Sequence, residues 1–161
     1  MNPNDPVFCQ PPGELTEAVR AALSSGRFLS EIISILNDAQ STFEELETRC
    51  NACGKCCKFD LVDHKLFVTV GELGVVVAES PPLPAVSRRC CYQQNHLCTI
   101  RKSRPLGCRA YHCDSRIFDV NSCKVETYHK KLVQAHDRHG IPYLYVEFIS
   151  GIDLLRNSTF F

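Results

Sequence analysis

Cysteine is the residue type that most constrains how this chain of 161 residues can fold, because it contains eleven of them. This proportion exceeds ordinary usage but is below that of short disulfide scaffolds. An odd number of cysteines cannot be used up by intramolecular disulfides alone. The N-terminal sequence lacks a basic segment followed by an apolar stretch, so we expect no secretory signal peptide and a cytoplasmic protein. In a reducing compartment, closely spaced thiols more often bind metal or perform redox chemistry than form structural disulfides.

The first group of cysteines lies in residues 50–57, which read CNACGKCC. It consists of two overlapping Cys-x-x-Cys units closed by an adjacent pair. Two residues between thiolates allow a tight turn to direct both sulfurs at one ion, and Gly54 supplies a position that can adopt a positive φ. We expect the adjacent Cys56 and Cys57 to point to different sides. That arrangement favours two metals or a multinuclear cluster over one tetrahedral ion.

A second group of cysteines follows the proline-rich residues 81–84. Its spacings are too loose to identify a metal site unaided. Its members are Cys90, Cys91, Cys98, Cys108 and Cys113.

With these motifs the chain resembles the bacterial and archaeal cysteine-cluster proteins that are named for a CxxCxxCC motif and described as zinc- or iron-chelating domains. Residues 50–57 match that motif in full, including Gly54 before the third cysteine. The second half of the family's pattern is similar to Cys-x-Ile-Tyr-x-x-Arg-Pro-x-x-Cys-Arg followed by another Cys. Residues 98–109 match it and Cys113 follows, but Arg101 stands where the family usually has Tyr. The resemblance implies a metal or iron–sulfur centre and no settled reaction.

Carried over position by position, the resemblance covers residues 50–113 and implies eight metal ligands. The implied ligands are Cys50, Cys53, Cys56, Cys57, Cys91, Cys98, Cys108 and Cys113. Cys90 could replace Cys91, since the adjacent pair offers two chances at one ligand position. We interpret Cys9 and Cys123 as ordinary buried or exposed thiols.

The local charge is consistent with a thiolate centre. Residues 50–113 carry nine Lys or Arg and four Asp or Glu, although the whole chain has a net charge of zero. Thiolate clusters with zinc or iron are anionic, and nearby cations stabilise them and lower thiol pKa values. The net charge of zero and the absence of a long basic run argue against binding to nucleic acid or to a membrane surface.

An iron–sulfur cluster, of the 4Fe–4S type, is the cofactor that the sequence favours, with Zn²⁺ as the alternative. The first three cysteines resemble the three-ligand run of a bacterial ferredoxin, and CxxCxxCC packing is unusual for zinc fingers. We therefore predict electron transfer or redox sensing with a protein or redox partner. The alternative is a zinc-stapled structural or protein-binding module. A metal-dependent enzyme is less favoured because no paired carboxylates, nucleophile motif or Gly-rich phosphate loop is present.

For the fold, we expect an α+β, mainly helical protein with an irregular, metal-stapled cysteine core flanked by helices and a short strand region. Its segments are an N-terminal arm and helices over 1–49, a cysteine-cluster region over 50–113, and a C-terminal helix and strand over 114–161. Together they are expected to form one compact domain.

Apolar periodicity and punctuating residues predict the individual elements. The most secure is an amphipathic helix from Phe28 to about Arg49, which delivers the chain into Cys50. The other predicted elements are a helix over 14–25 stopped by Gly26, a strand over 66–69, a helix over 71–79, a loop over 81–84, an irregular segment over 89–113, a helix from Asn121 or Ser122 to His139 stopped by Gly140, and a strand over 143–149.

Overall fold

A computed structural model describes residues 12–45, 54–59, 61, 65–80, 83–87, 89–111 and 115–158. Within these residues six helices dominate and the strands are few and short. The prediction of an α+β, mainly helical fold is therefore confirmed. The helices in these ranges are all too short or too polar to cross a lipid bilayer.

The first two helices are separated by a single residue. Helix α1 spans Pro12–Ser24 and helix α2 spans Gly26–Glu44. Between them, the hydroxyl of Ser25 accepts a hydrogen bond from the backbone N–H of Phe28 at 3.4 Å, as an N-cap residue does. The expectation that Gly26 stops the first helix is wrong, because Ser25 interrupts the helix and Gly26 begins the next one.

The amphipathic face predicted for α2 is the face that is buried. Apolar side chains on this helix recur at steps of three and four residues and are at most 1% exposed. They are Phe28, Ile32, Leu36, Ala39 and Phe43. The predicted continuation of the helix to Arg49 lies outside the described residues beyond Glu45.

Helix α3 is the centre of the fold. Strand β1, Phe67–Thr69, leads directly into α3, Val70–Glu79, and every residue from 70 to 77 is buried. Thr69 and Glu72 form a capping box, in which the Thr69 hydroxyl accepts from the Glu72 N–H and the Glu72 carboxylate accepts from the Thr69 N–H. Helix α3 packs against α1 and α2, and its apolar side chains belong to the hydrophobic core.

The hairpin formed by strands β2, Gln93–Gln94, and β3, Leu97–Cys98, and the short helix α4, Leu106–Ala110, lie in the segment predicted to be irregular. Asn95 and His96 connect the two strands with φ of 47° and 67°. Two central residues with positive φ characterise the type I′ turn, whose twist matches that of the flanking strands. The prediction of an irregular segment is therefore wrong for these residues.

The C-terminal part begins with helix α5, Ser115–His139, which starts earlier than predicted. Gly140, with φ of 63°, follows its last residue and confirms the predicted stop.

Strand β4, Tyr145–Glu147, pairs antiparallel with β1, and Val68 lies opposite Val146. The predicted strand over 143–149 ends early because helix α6, Phe148–Asn157, begins there. The Glu147 carboxylate starts this helix by accepting hydrogen bonds from the backbone N–H groups of Ile149 and Ser150.

Candidate metal centre

Four of the predicted ligands line one cavity of about 520 Å³. Cys56 and Cys57 lie in a single 3₁₀ turn, Lys55–Cys57, while Cys98 ends β3 and Cys108 lies in α4. Cys90, which precedes the hairpin, also lines this cavity. The fold thus brings thiols from four separate places in the sequence to the wall of one cavity.

Two hydrogen bonds attach the 3₁₀ turn to the hairpin and to the residues just before it. The Gln93 side-chain amide donates to the Gly54 carbonyl at 2.8 Å, and the Cys90 N–H donates to the Cys57 carbonyl at 2.9 Å. Gly54 has φ of 68°, as predicted, and a Cβ atom there would lie 2.5 Å from the Gln93 Nε2 atom. A side chain at position 54 would therefore clash with the group that holds the turn in place.

The sulfur atoms of Cys56 and Cys57 are 3.9 Å apart. The expectation that these neighbours point to different sides is wrong, because the tight 3₁₀ turn directs both side chains to the same cavity. Sulfurs this close can serve one metal ion. In a tetrahedral site with bonds of about 2.3 Å to zinc, two sulfurs are about 3.8 Å apart.

Cys108 is positioned by a buried carboxylate on the central helix. One oxygen of Glu72 accepts a hydrogen bond at 2.7 Å from the N–H of Leu106, the first residue of α4. The other oxygen accepts from the Thr69 N–H at 2.7 Å and from the Thr69 hydroxyl at 2.9 Å. Burial raises the pKa of Glu72, and these hydrogen bonds counter part of that rise. The carboxylate therefore joins α3 to the helix that carries Cys108.

Two arginines of the matched Arg-Pro and Cys-Arg pairs fix the loop before α4. Arg109 is buried and folds back on this loop, where its Nε donates to the Arg104 carbonyl at 2.7 Å and its Nη2 donates to the Lys102 carbonyl. Arg104 in turn donates from Nη2 to the Gln40 side chain of α2 at 3.1 Å. The loop is thereby held against the long helix.

Arg104 also lines the cavity, and its buried Nε atom has no hydrogen-bond partner among the described residues. A buried donor without an acceptor costs about 1–3 kcal/mol.

The surroundings raise the pKa of four of the cavity thiols, those of Cys56, Cys57, Cys98 and Cys108. The adjacent Cys57 thiol, followed by burial, raises the pKa of Cys56, while burial is the main cause of the raised pKa of Cys98 and of Cys108. At Cys57 the hydrogen bond with Cys56 lowers the pKa, but the nearby Cys90 thiol and burial raise it to about 12. The Arg104 charge lowers the pKa of Cys56, Cys98 and Cys108. A metal would have to displace protons here, which makes metal binding release protons.

Cys90, rather than its neighbour Cys91, faces the other thiols. Cys91 is absent from the described lining of the cavity, and burial raises its pKa to about 11 without a contribution from another thiol. Cys123 is exposed on α5, and the seven described cysteines are all outside disulfides. Cys9, Cys50, Cys53 and Cys113 lie outside the described residues.

The cavity thiols are of the chemical type that zinc and iron–sulfur clusters prefer as ligands, and the Arg104 charge in the same lining would suit an anionic centre. The described residues alone hold no group of three Cys, His, Asp or Glu side chains able to bind one ion. The predicted ligands at positions 50, 53 and 113 lie outside the described residues.

Comparisons of the chain with protein-family models, with curated proteins and with solved structures found no match. The resemblance to the cysteine-cluster family therefore stays a prediction that rests on the motifs. The predicted site did not include Arg104, which lines the cavity, or Glu72, which accepts a hydrogen bond from the first residue of α4. Arg104 belongs to the matched Arg-Pro pair, but nothing in the sequence marks Glu72 as a partner of Leu106.

Proposed function

We propose that this protein is an iron–sulfur protein that transfers electrons or senses redox state. Its cluster would be held by cysteines of the two motif groups, with Cys90 as a ligand in place of Cys91. When bound, such a cluster supplies one-electron redox chemistry.

One observation carries this proposal: thiols from four separate places in the sequence line a single cavity, together with Arg104. A cluster of several iron and sulfide ions can span thiolates that are too far apart to meet at one ion. The positive charge of Arg104 would stabilise an anionic cluster in the same cavity.

The deciding experiment is purification of the full chain with oxygen excluded, followed by measurement of iron, acid-labile sulfide, zinc and visible absorption. We expect iron and sulfide in equal amounts and a coloured protein. An anaerobic preparation without acid-labile sulfide would end the iron–sulfur proposal.

Two pairs of cysteine variants locate the centre within the chain. Cys108→Ser should lower the iron and sulfide content severalfold, whereas Cys123→Ser, which removes an exposed thiol outside the described cavity lining, should leave both unchanged. Cys90→Ser should lower the content and Cys91→Ser should not. Equal losses from Cys108→Ser and Cys123→Ser would contradict the assignment of the cavity as the metal centre.

A zinc-stapled structural or protein-binding module is the second candidate. The separation of 3.9 Å between the Cys56 and Cys57 sulfurs favours it, since it matches the edge of a tetrahedral zinc site. This candidate predicts stoichiometric zinc, a colourless protein, and unfolding when a chelator removes the metal. The metal and sulfide analysis described above separates the two candidates.

A further inference from the structure

The cavity beside the thiols is larger and more apolar than a metal centre requires. Its volume of about 520 Å³ falls within the range of pockets for small organic ligands, about 300–1,000 Å³. Much of its wall is aromatic or aliphatic. These side chains include Phe59, Leu66, Phe67, Tyr111, Tyr145 and Phe148.

Two of these aromatic rings form an exposed stack at the edge of the small sheet. Phe67 of β1 and Tyr145 of β4 have ring centroids 5.6 Å apart and an interplanar angle of 29°. They are 38% and 39% exposed, although each lines the cavity. Large aromatic side chains that remain this accessible at a pocket provide a surface on which a planar ligand can pack.

The charge of the cavity wall selects for anions. Lys65, Arg101 and Arg104 line the cavity, and its described lining includes neither Asp nor Glu. Lys65 and Arg101 are exposed and Arg104 is half-buried. A carboxylate suits such a wall, because its ion pairs and hydrogen bonds with arginine are charge-assisted.

We propose that this cavity binds a small organic carboxylate with a planar, apolar body. The carboxylate would pair with the positive charges of Arg101 and Arg104, and the planar body would pack against Phe67 and Tyr145. This binding site goes beyond the iron–sulfur proposal and does not depend on which metal the thiols hold. A carboxylate bound here would lie in the same cavity as the thiols.

The test compares cinnamate with cinnamamide, a neutral analogue that has the same planar body. Binding of each to the anaerobically purified full chain is measured by isothermal titration calorimetry, and metal content is measured on the same preparation. We expect one site per chain and an affinity for cinnamate about tenfold higher than for cinnamamide, the size of one charge-assisted hydrogen bond.

Matched variants assign this preference to the cavity. Arg104→Gln should abolish the preference for cinnamate, and Arg101→Gln, at an exposed position, should reduce it severalfold. Lys102→Gln is the control, since it removes an exposed neighbouring charge outside the described lining. These variants also separate binding to arginine from direct coordination of the carboxylate by a metal, because coordination would survive the loss of Arg104.

The aromatic wall has its own control within the sheet. Tyr143 and Tyr145 are both 39% exposed and their rings are stacked, but only Tyr145 belongs to the described cavity lining. Tyr145→Leu should weaken the binding of both probes severalfold, whereas Tyr143→Leu should not.

Three results would overturn the proposal: equal affinities for the two probes, no binding of either, or the same loss from Lys102→Gln as from Arg101→Gln. Cinnamate binding to protein that contains no iron or sulfide would support the cavity proposal while refuting the iron–sulfur one. A protein that contains iron and sulfide but binds the two probes equally would support the iron–sulfur proposal and refute the cavity proposal.

Discussion

Replacing Glu72 by Gln tests whether the buried carboxylate holds the cysteine-bearing helix α4 in place. All three groups that face it are donors: the Thr69 N–H, the Thr69 hydroxyl and the Leu106 N–H. A carboxylate accepts on both oxygens, whereas an amide has one accepting oxygen and one donating NH₂ group. In either orientation of the new side-chain amide, its NH₂ group faces at least one of these donors. Glu72→Gln therefore removes a hydrogen bond and leaves a buried N–H or O–H unsatisfied.

The cost follows from those two losses. A hydrogen bond to a charged group contributes about 1.5–3 kcal/mol, and an unsatisfied buried donor costs about 1–3 kcal/mol. Burying the charge of the carboxylate is itself unfavourable, which is why the pKa of Glu72 is raised. The neutral amide of Gln avoids this cost, and that offsets part of the sum. We expect the free energy of unfolding to fall by about 3 kcal/mol. For a chain of this size, the midpoint of urea unfolding should fall by about 1.5 M.

The assay is urea unfolding at neutral pH, followed by far-ultraviolet circular dichroism. Glu79→Gln is the matched control, because Glu79 lies at the exposed end of the same helix and its replacement should change stability by less than about 0.5 kcal/mol. A loss below about 1 kcal/mol for Glu72→Gln, or an equal loss for Glu79→Gln, would refute the reasoning that this carboxylate joins the two helices.

Three further substitutions test the core. Gly71→Ala should lower stability by about 1–3 kcal/mol in thermal unfolding, because its Cβ would lie 2.9 Å from Ile32 Cδ1; Gly26→Ala, with open space around its Cβ, should not lower it. Burial lowers the pKa of His136 from its ordinary value of 6.5, so the unfolded chain binds a proton before the folded one does as the pH falls. Stability should therefore fall below about pH 6.5, and His136→Gln should flatten that fall in melting temperatures measured across this range. The buried hydroxyl of Tyr92 has no partner in the described ranges, so Tyr92→Phe should stabilise the protein by up to about 1 kcal/mol in urea unfolding; a loss of similar size would mean that the hydroxyl is bonded.

The parts of the fold that the sequence predicted are those where local pattern and tertiary packing agree. The α2 face from Phe28 to Phe43 follows a helical period and is the face that the core covers. Gly140 ends α5 because a positive φ costs glycine little. In both cases the residues themselves contain the information, and no distant partner is needed.

The errors occurred where the deciding contact is unusual or distant. The turn at Asn95 and His96 has the geometry of a type I′ turn but lacks the glycine that normally reveals it. The β-branched and aromatic sequence of residues 143–149 is typical of a strand. The Glu147 side chain nevertheless ends the strand by capping α6.

For the candidate site, the sequence predicted which cysteines share the cavity better than it predicted their surroundings. The resemblance named Cys56, Cys57, Cys98 and Cys108, which all line the cavity. The choice between Cys90 and Cys91 depends on the direction of each side chain, which no spacing specifies.

The cysteine-bearing elements depend on the helical frame for their positions, because each is too short to be stable alone. The 3₁₀ turn has three residues, β3 has two and α4 has five, whereas isolated helices shorter than about 12 residues are marginal in water. What attaches α4 and its preceding loop is a pair of polar side chains on long helices: Gln40 of α2, which accepts from Arg104, and Glu72 of α3, which accepts from Leu106. These bonds join residues 64 and 34 positions apart. The frame therefore determines where Cys108 lies, and a change in its buried polar contacts should reach the thiols even though none of those contacts involves a cysteine.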